Sequence, residues 1–116
     1  MPFWRGDAQG RPLELGRALG RFLRFLSTSD REKALNRAKR AGLDDRAAEN
    51  LLSYVAEQRE ATRHVPSDRT VLLERFRDEL GDWRLILHSP YGMQVHAPWA
   101  LAVGARRARA DALLAR

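Results

Sequence analysis

Residues 70–88 read TVLLERFRDELGDWRLILH, and this stretch decides the fold class. Two runs of branched and aromatic residues, Thr70–Phe76 and Trp83–His88, flank Asp78, Glu79, Gly81 and Asp82, the composition of a turn between paired strands. A β-hairpin is the expectation. Alternation in the second run sends Trp83, Leu85 and Leu87 to one face and Arg84, Ile86 and His88 to the other, so one face belongs to a core and the second is partly polar. Two strands alone are marginal in water, so the flanking sequence has to support them.

Upstream the apolar period lengthens from two to about 3.6. Residues 1–11 contain Gly6, Asp7 and Gly10 and read as a loop, after which Pro12 suits the first position of a helix to about Leu26. Leu15, Leu19, Phe22, Leu23 and Leu26 share one face of that helix, with Arg17, Arg21 and Arg24 on its back. Gly16 and Gly20 remove side chains from one side and invite close approach of another backbone, each costing roughly 1 kcal/mol of helix propensity. Ser29 and Glu32 have the spacing of a capping box for a second helix that stops at Gly42. Asp44 caps a third helix, with an apolar stripe of Ala47, Ala48, Leu51, Leu52 and Val55, ending near Thr62. The second and third helices form an αα-hairpin. Beyond the strands, a turn at Ser89–Gly92 precedes a last helix opened or kinked by Pro98, whose periodicity decays after Arg106. The expected class is α+β, an incomplete single domain: mainly helical over 1–62, a β-hairpin over 69–89 and a C-terminal helix over 94–116.

The 116 residues and 13.2 kDa accommodate one compact domain and exclude a multidomain enzyme. Lys and Arg number 21 against 15 Asp and Glu, giving a net charge of +6 and a pI near 10.9, which favours a polyanionic partner and makes nucleic acid the first suspect. The excess sits at both ends, with five Arg and two acids in residues 1–26 and four Arg and one acid in residues 93–116. The absence of cysteine excludes a disulfide framework, a thiolate metal site and a cysteine nucleophile, and fits a cytoplasmic protein. No apolar run reaches the roughly 20 residues that cross a bilayer, and MPFWRGD lacks the order of a secretory signal, so no membrane partner is expected.

Catalytic motifs are missing. No Gly precedes Lys-Ser or Lys-Thr as a P-loop requires, and no G-x-G-x-x-G follows a strand. Asp78-Glu79 invites comparison with the Asp-Glu box of an ATPase, but Arg75-Phe76-Arg77 stands where that box needs an apolar strand, and the pair reads as the hairpin turn. His64, His88 and His96 match no metal-ligand spacing and have no evident third group. No catalytic residue, metal ligand or cofactor is expected in this chain.

At PFWRGD (2–7) with GRPLELG (10–16), AGLDDRAAENLLSYVAEQREATRHVPSDRT (41–70) and ERFRDELGDWRLILHSPYGMQVHAPWALAVGAR (74–106), the chain closely resembles the large helicase-related (Lhr) family, over about residues 2–106. The resemblance implies part of the region that follows the two ATPase domains and winged helix of ATP-dependent 3′-to-5′ DNA translocases associated with DNA repair. ATP and Mg belong to the motor of such a parent. The motor domains are absent upstream and the strands expected after the last helix are absent downstream, so a truncated gene, a frameshifted end or a partial gene model is expected.

A strand-tracking domain needs cations on phosphates and an exposed aromatic for base stacking. Trp4, beside Arg5 in a Gly-flanked loop, is the best stacking candidate; the alternative is that Phe3 and Trp4 plug the core beneath the first helix. Trp83 and Trp99 lie in periodic elements and are expected in the core. Arg84 and His88 share a strand face and form a phosphate-contact row with Arg75 if the register brings it near; the alternative is ion pairing to Glu74 or Glu79. His96, before the last helix, is placed to meet phosphate at a helix N-terminus or to serve in capping. Arg17, Arg21 and Arg24 form a basic stripe for phosphate, for another domain or for plain solvation. The expected function is an accessory domain of an Lhr-type helicase that contacts single-stranded DNA or a DNA–RNA duplex and supports the remaining helicase domains. The rivals are a docking module that touches no nucleic acid and a non-functional truncated product.

Overall fold

The computed structural model describes residues 10–114. Its elements run α1 (Leu13–Thr28), α2 (Arg31–Arg40), α3 (Asp45–Thr62), β1 (Leu72–Arg77), β2 (Trp83–His88) and α4 (Met93–Leu114), an α+β chain. Residues 17–90 form one compact unit, and the flanking residues up to Gly16 and from Tyr91 form another.

In the first unit the helices close on a core of small side chains. Ala34 and Ala38, one turn apart on α2, are buried, as are Ala48, Leu52 and Val55 on α3 and Leu26 on α1. Phe22, Leu35, Leu43 and Leu51 pack against this cluster. Alanine at the α2–α3 contact lets a helix as polar as α2 approach its neighbour closely, so burial there comes from fit rather than from bulk. Ala47, at the edge of the expected stripe, is exposed.

The caps define the joints. Asp44 accepts from the Ala47 N–H at 2.7 Å, as its position predicts. For α2 the expectation is corrected: Asp30, not Ser29, is the N-cap, accepting from the Lys33 N–H at 2.9 Å. One residue separates them, and the carboxylate adds favourable charge at the helix N-terminus. Gly42 takes φ +100° beyond the α2 C-cap, the left-handed position glycine fills without strain. The α3 C-cap is Arg63, at φ 62° and ψ −5°. A residue with a side chain sits there at a cost of roughly 1–2 kcal/mol.

Gly20 on α1 shows why a glycine stands there. A Cβ would lie 2.4 Å from the Asp68 amide nitrogen and 2.9 Å from Pro90 Cγ, so the α1 backbone lies directly on the 67–70 turn and on Pro90. That turn is built by the Ser67 N–H donating to the Thr70 carbonyl at 2.9 Å and the Arg69 N–H donating to Ser67 Oγ at 3.2 Å. Arg24, one turn beyond Gly20, grips the same turn: Nε donates to Asp68 Oδ1 at 2.7 Å and Nη2 to Oδ2 at 3.1 Å.

The strands pair antiparallel, with Leu72 opposite His88, Arg75 opposite Leu85 and Arg77 opposite Trp83. Asp78 organises the turn. Its Oδ1 accepts from the Leu80 and Asp82 amides at 3.0 and 2.9 Å, its Oδ2 from Arg84 Nε at 2.6 Å, and Gly81 completes the reversal at φ +83°. The reading of Asp78-Glu79 as a turn agrees with these bonds.

In the second unit α4 begins at Met93, five residues before Pro98, which lies inside it. The helix thus starts one residue before the expected 94, and of the two expected roles Pro98 does not open it. Pro98 lies beyond the first turn and removes one N–H from the ladder. Helical backbone continues past Arg106 to Leu114. From Pro98 to Arg107 the helix is exposed throughout. Trp99, expected in the core, is 51% exposed, which corrects that reading. No helix among the described residues is long and apolar enough to cross a membrane.

Candidate nucleic-acid interface

The two faces of the hairpin differ in chemistry. Because paired residues lie on the same side of a sheet, the register assigns Leu73, Arg75, Arg77, Trp83, Leu85 and Leu87 to one face and Leu72, Glu74, Phe76, Arg84, Ile86 and His88 to the other. The one acid on the strands, Glu74, falls on the second face, and the turn residue Asp78 reaches Arg84 of the same face. His88 Nε2 lies 2.9 Å from Glu74 Oε2, and Arg84 is tied to Asp78. The Arg84 hydrogen bond is the main reason the Asp78 carboxyl is held below the usual carboxylate range, with the Asp82 and Leu80 amides adding to it.

The first face carries two arginines and no carboxylate. The Arg75 guanidinium carbon lies 4.3 Å and that of Arg77 4.7 Å from the Trp83 ring centroid, both within cation–π range. Trp83 nevertheless stays 44% exposed, and neither arginine has an ion-pair partner among the described residues. A guanidinium stacked on an aromatic ring keeps its in-plane N–H donors directed outward, where phosphate oxygens can accept them. Leu73 and Leu85 add open apolar surface to the same face. Stacking surface, donors and unneutralised positive charge thus coincide on one side of a two-stranded sheet.

This geometry corrects the expected row of Arg75, Arg84 and His88. The register sets Arg75 on the face opposite Arg84 and His88, and the latter two are held by acids, His88 by the expected Glu74 and Arg84 by Asp78 rather than Glu79. Trp83, expected in the core, is the aromatic centre of the open face. Arg77 was missed altogether, although its alternation with Arg75 across Phe76 was available in the sequence. Of the other expected residues, Arg24 is committed to Asp68, while Arg17 and Arg21 are exposed on α1. The His96 amide bonds the Gly92 carbonyl within the first turn of α4. Trp4 and Arg5 lie outside the described residues.

Comparison with known proteins supports the resemblance. Residues 65–113, which contain the whole hairpin, match the DEAD/H associated family model. The chain is 58% identical over 106 residues to the Lhr helicase/probable uracil glycosylase of Mycolicibacterium smegmatis, an alignment covering 91% of this chain and 7% of that protein. It is 46% identical over 106 residues to the Lhr helicase/uracil glycosylase of Escherichia coli, again 91% of this chain and 7% of the relative. Over nearly its whole length this chain is closely similar to a segment of Lhr helicases. Its fold agrees with a solved structure of Mycobacterium smegmatis helicase Lhr bound to ssDNA and AMP-PNP, at a TM-score of 0.78 and 58% identity over 90% of this chain and 14% of the solved one. The chain therefore spans a small part of the Lhr proteins it matches. Its own residues do not fit the ATP and Mg that such a motor uses. The sequence has no P-loop, and the described residues hold no group of three His, Asp or Glu side chains that could bind a metal.

Proposed function

We propose that this chain is the accessory strand-contact segment of an Lhr-type 3′-to-5′ DNA helicase and that it binds single-stranded DNA through the Arg75–Trp83–Arg77 face of its hairpin. The observation that carries this reading is the chemistry of one face, which joins two guanidiniums without an ion-pair partner among the described residues to a half-exposed indole, while the one strand acid, Glu74, lies on the other face beside His88. The likeness to an Lhr structure solved with ssDNA supports it. Trp4, Arg5 and His96 are further candidate DNA contacts, each independent of the hairpin face. Arg84 and His88 shape the hairpin rather than meet DNA. ATP hydrolysis belongs to other domains of the parent, in the cytoplasm and in the service of DNA repair; this segment acts passively, holding the strand so that the motor's steps are not lost to slippage.

Fluorescence anisotropy of a labelled oligothymidylate titrated with the purified chain tests the proposal. Affinity should fall with salt, and the slope should drop by about 0.7 for each of Arg75→Ala and Arg77→Ala. Trp83→Ala should remove roughly 1–3 kcal/mol of stacking. Absence of binding at low salt would end the proposal for this chain.

A second reading rests on α4. Trp99, Leu101 and Val103 are all exposed there, which favours burial against another helicase domain. A separate docking candidate is the basic stripe of α1, of which Arg17 and Arg21 remain because Arg24 is occupied by Asp68. Their joint replacement by Ala should leave DNA affinity unchanged and weaken assembly with a separately produced remainder of an Lhr protein.

A further inference from the structure

We infer that residues 17–90 contain a second anion site, a phosphoryl-binding pocket away from the hairpin face. A cavity of about 210 Å³ opens where the C-terminal end of α1, the end of α3 and the 63–70 segment meet. Its lining includes Arg24, Arg59, Arg63, His64, Ser67 and Thr70.

The charge in this pocket is not balanced by acids. Arg24 is neutralised by Asp68, whereas Arg59 donates to the Ser27 carbonyl at 2.7 Å, and Arg59, Arg63 and His64 have no ion-pair partner among the described residues. The Asp68 carboxylate is fully engaged by the Arg24 fork, so it does not compete for the remaining guanidinium groups. Arg59, Arg63, His64, Ser67 and Thr70 thus line one concave surface together with Arg24, and no acid is among its lining residues. Arginine forks and hydroxyls around a pocket of this size form the donor set of a phosphoryl oxygen cluster.

Arg63 supplies an independent observation. It occupies the left-handed conformation, φ 62°, at the end of α3, where glycine would be unstrained and where α2 does use Gly42. Backbone strain retained at a side chain that lines a cationic cavity points to a role for that side chain. Capping alone does not account for it, since glycine terminates a helix in this geometry without a side chain.

The ligand is a phosphoryl group, either a backbone phosphate of a nucleic-acid strand or free phosphate. The test uses the whole chain and follows the His64 ring and the Ser67 and Thr70 amides by NMR. Inorganic phosphate and, separately, an oligothymidylate are titrated against chloride at equal ionic strength. Saturable shifts confined to the pocket are expected from at least one probe. A response to the oligonucleotide alone assigns a strand phosphate, and a response to phosphate assigns a site that accepts the free ion. Arg63→Gly should weaken the response at least fivefold while leaving the thermal midpoint equal or higher, because it removes a cation and relieves strain together. Trp83→Ala should leave the pocket response intact, which separates this site from the hairpin. No saturable shift from either probe, or an Arg63→Gly chain that responds like the parent, would overturn the inference.

Discussion

The helical part of residues 17–90 and the hairpin that follows it bury their side chains in opposite ways. The α1–α3 region hides small residues completely, with Ala34, Ala38 and Ala48 at 1%, 0% and 0% exposure, and fixes its joints with Asp30, Asp44 and Gly20. The hairpin leaves Leu73, Trp83, Leu85 and Ile86 open. Both are ordered, yet by different means: helix packing by steric fit, the hairpin by its ladder, the Asp78 turn and cross-strand pairs. A region stabilised locally can keep its faces free for a ligand. One stabilised by interdigitation cannot.

Substitutions should separate the two regions by size of effect. Leu52→Ala opens a void in the α2–α3 core and should cost about 2–5 kcal/mol in denaturant unfolding. An equal midpoint for this variant and the parent would show that the alanine-packed core does not dominate stability. Gly20→Ala forces a methyl group against the backbone of Asp68 and should cost about 1–3 kcal/mol, because rigid backbone rather than a flexible side chain must yield. In the hairpin, Trp83→Ala should cost about 1–2 kcal/mol, less than Leu52→Ala, since it removes two cation–π contacts from a ring that is 44% exposed. If calorimetry finds it as damaging as Leu52→Ala, the contrast between the regions fails.

Acid should act on both regions through their paired carboxyls. Asp68 is held below its ordinary value of 3.8, chiefly by the Arg24 hydrogen bond, and Asp78 below the same value, chiefly by Arg84. The folded chain therefore takes up these protons less readily than the unfolded chain. Their contribution to stability is complete above the unfolded carboxyl range and is lost as pH falls through the lower folded values. Stability measured from pH 6 down to about pH 2 should decline. Asp68→Asn should flatten the decline for the α1 joint, and Asp78→Asn should raise amide exchange within the hairpin turn without affecting α2 and α3.

Much of the fold was legible because its signals are local. The Asp44 cap, the Gly42 stop and the switch from a 3.6-residue to a two-residue period each involve a few neighbouring residues, and the structure follows them. The α2 cap differed by one residue because Ser29 and Asp30 both carry capping side chains and only backbone geometry chooses between them. The start of α4 at Met93 lies one residue from the expected 94, and the helix runs on through Pro98. The candidate site was read less well. Trp83 and Trp99 lie in periodic elements, and periodicity reports a shared face without saying whether anything covers it.

The sequence by itself determined the order of elements, most of their caps, the positive charge and, within each strand, which residues face together. These follow from backbone sterics, helix-end hydrogen bonding and side-chain alternation over short distances. Tertiary structure alone decided the cross-strand register, which joins Arg75 and Arg77 to Trp83 and parts them from Arg84. It also decided the Arg24–Asp68 clamp across 44 residues and the cationic pocket around Arg63. A one-residue slip in pairing turns every side chain of a strand to the other face, and no local pattern encodes which partner, distant in sequence, arrives beside it.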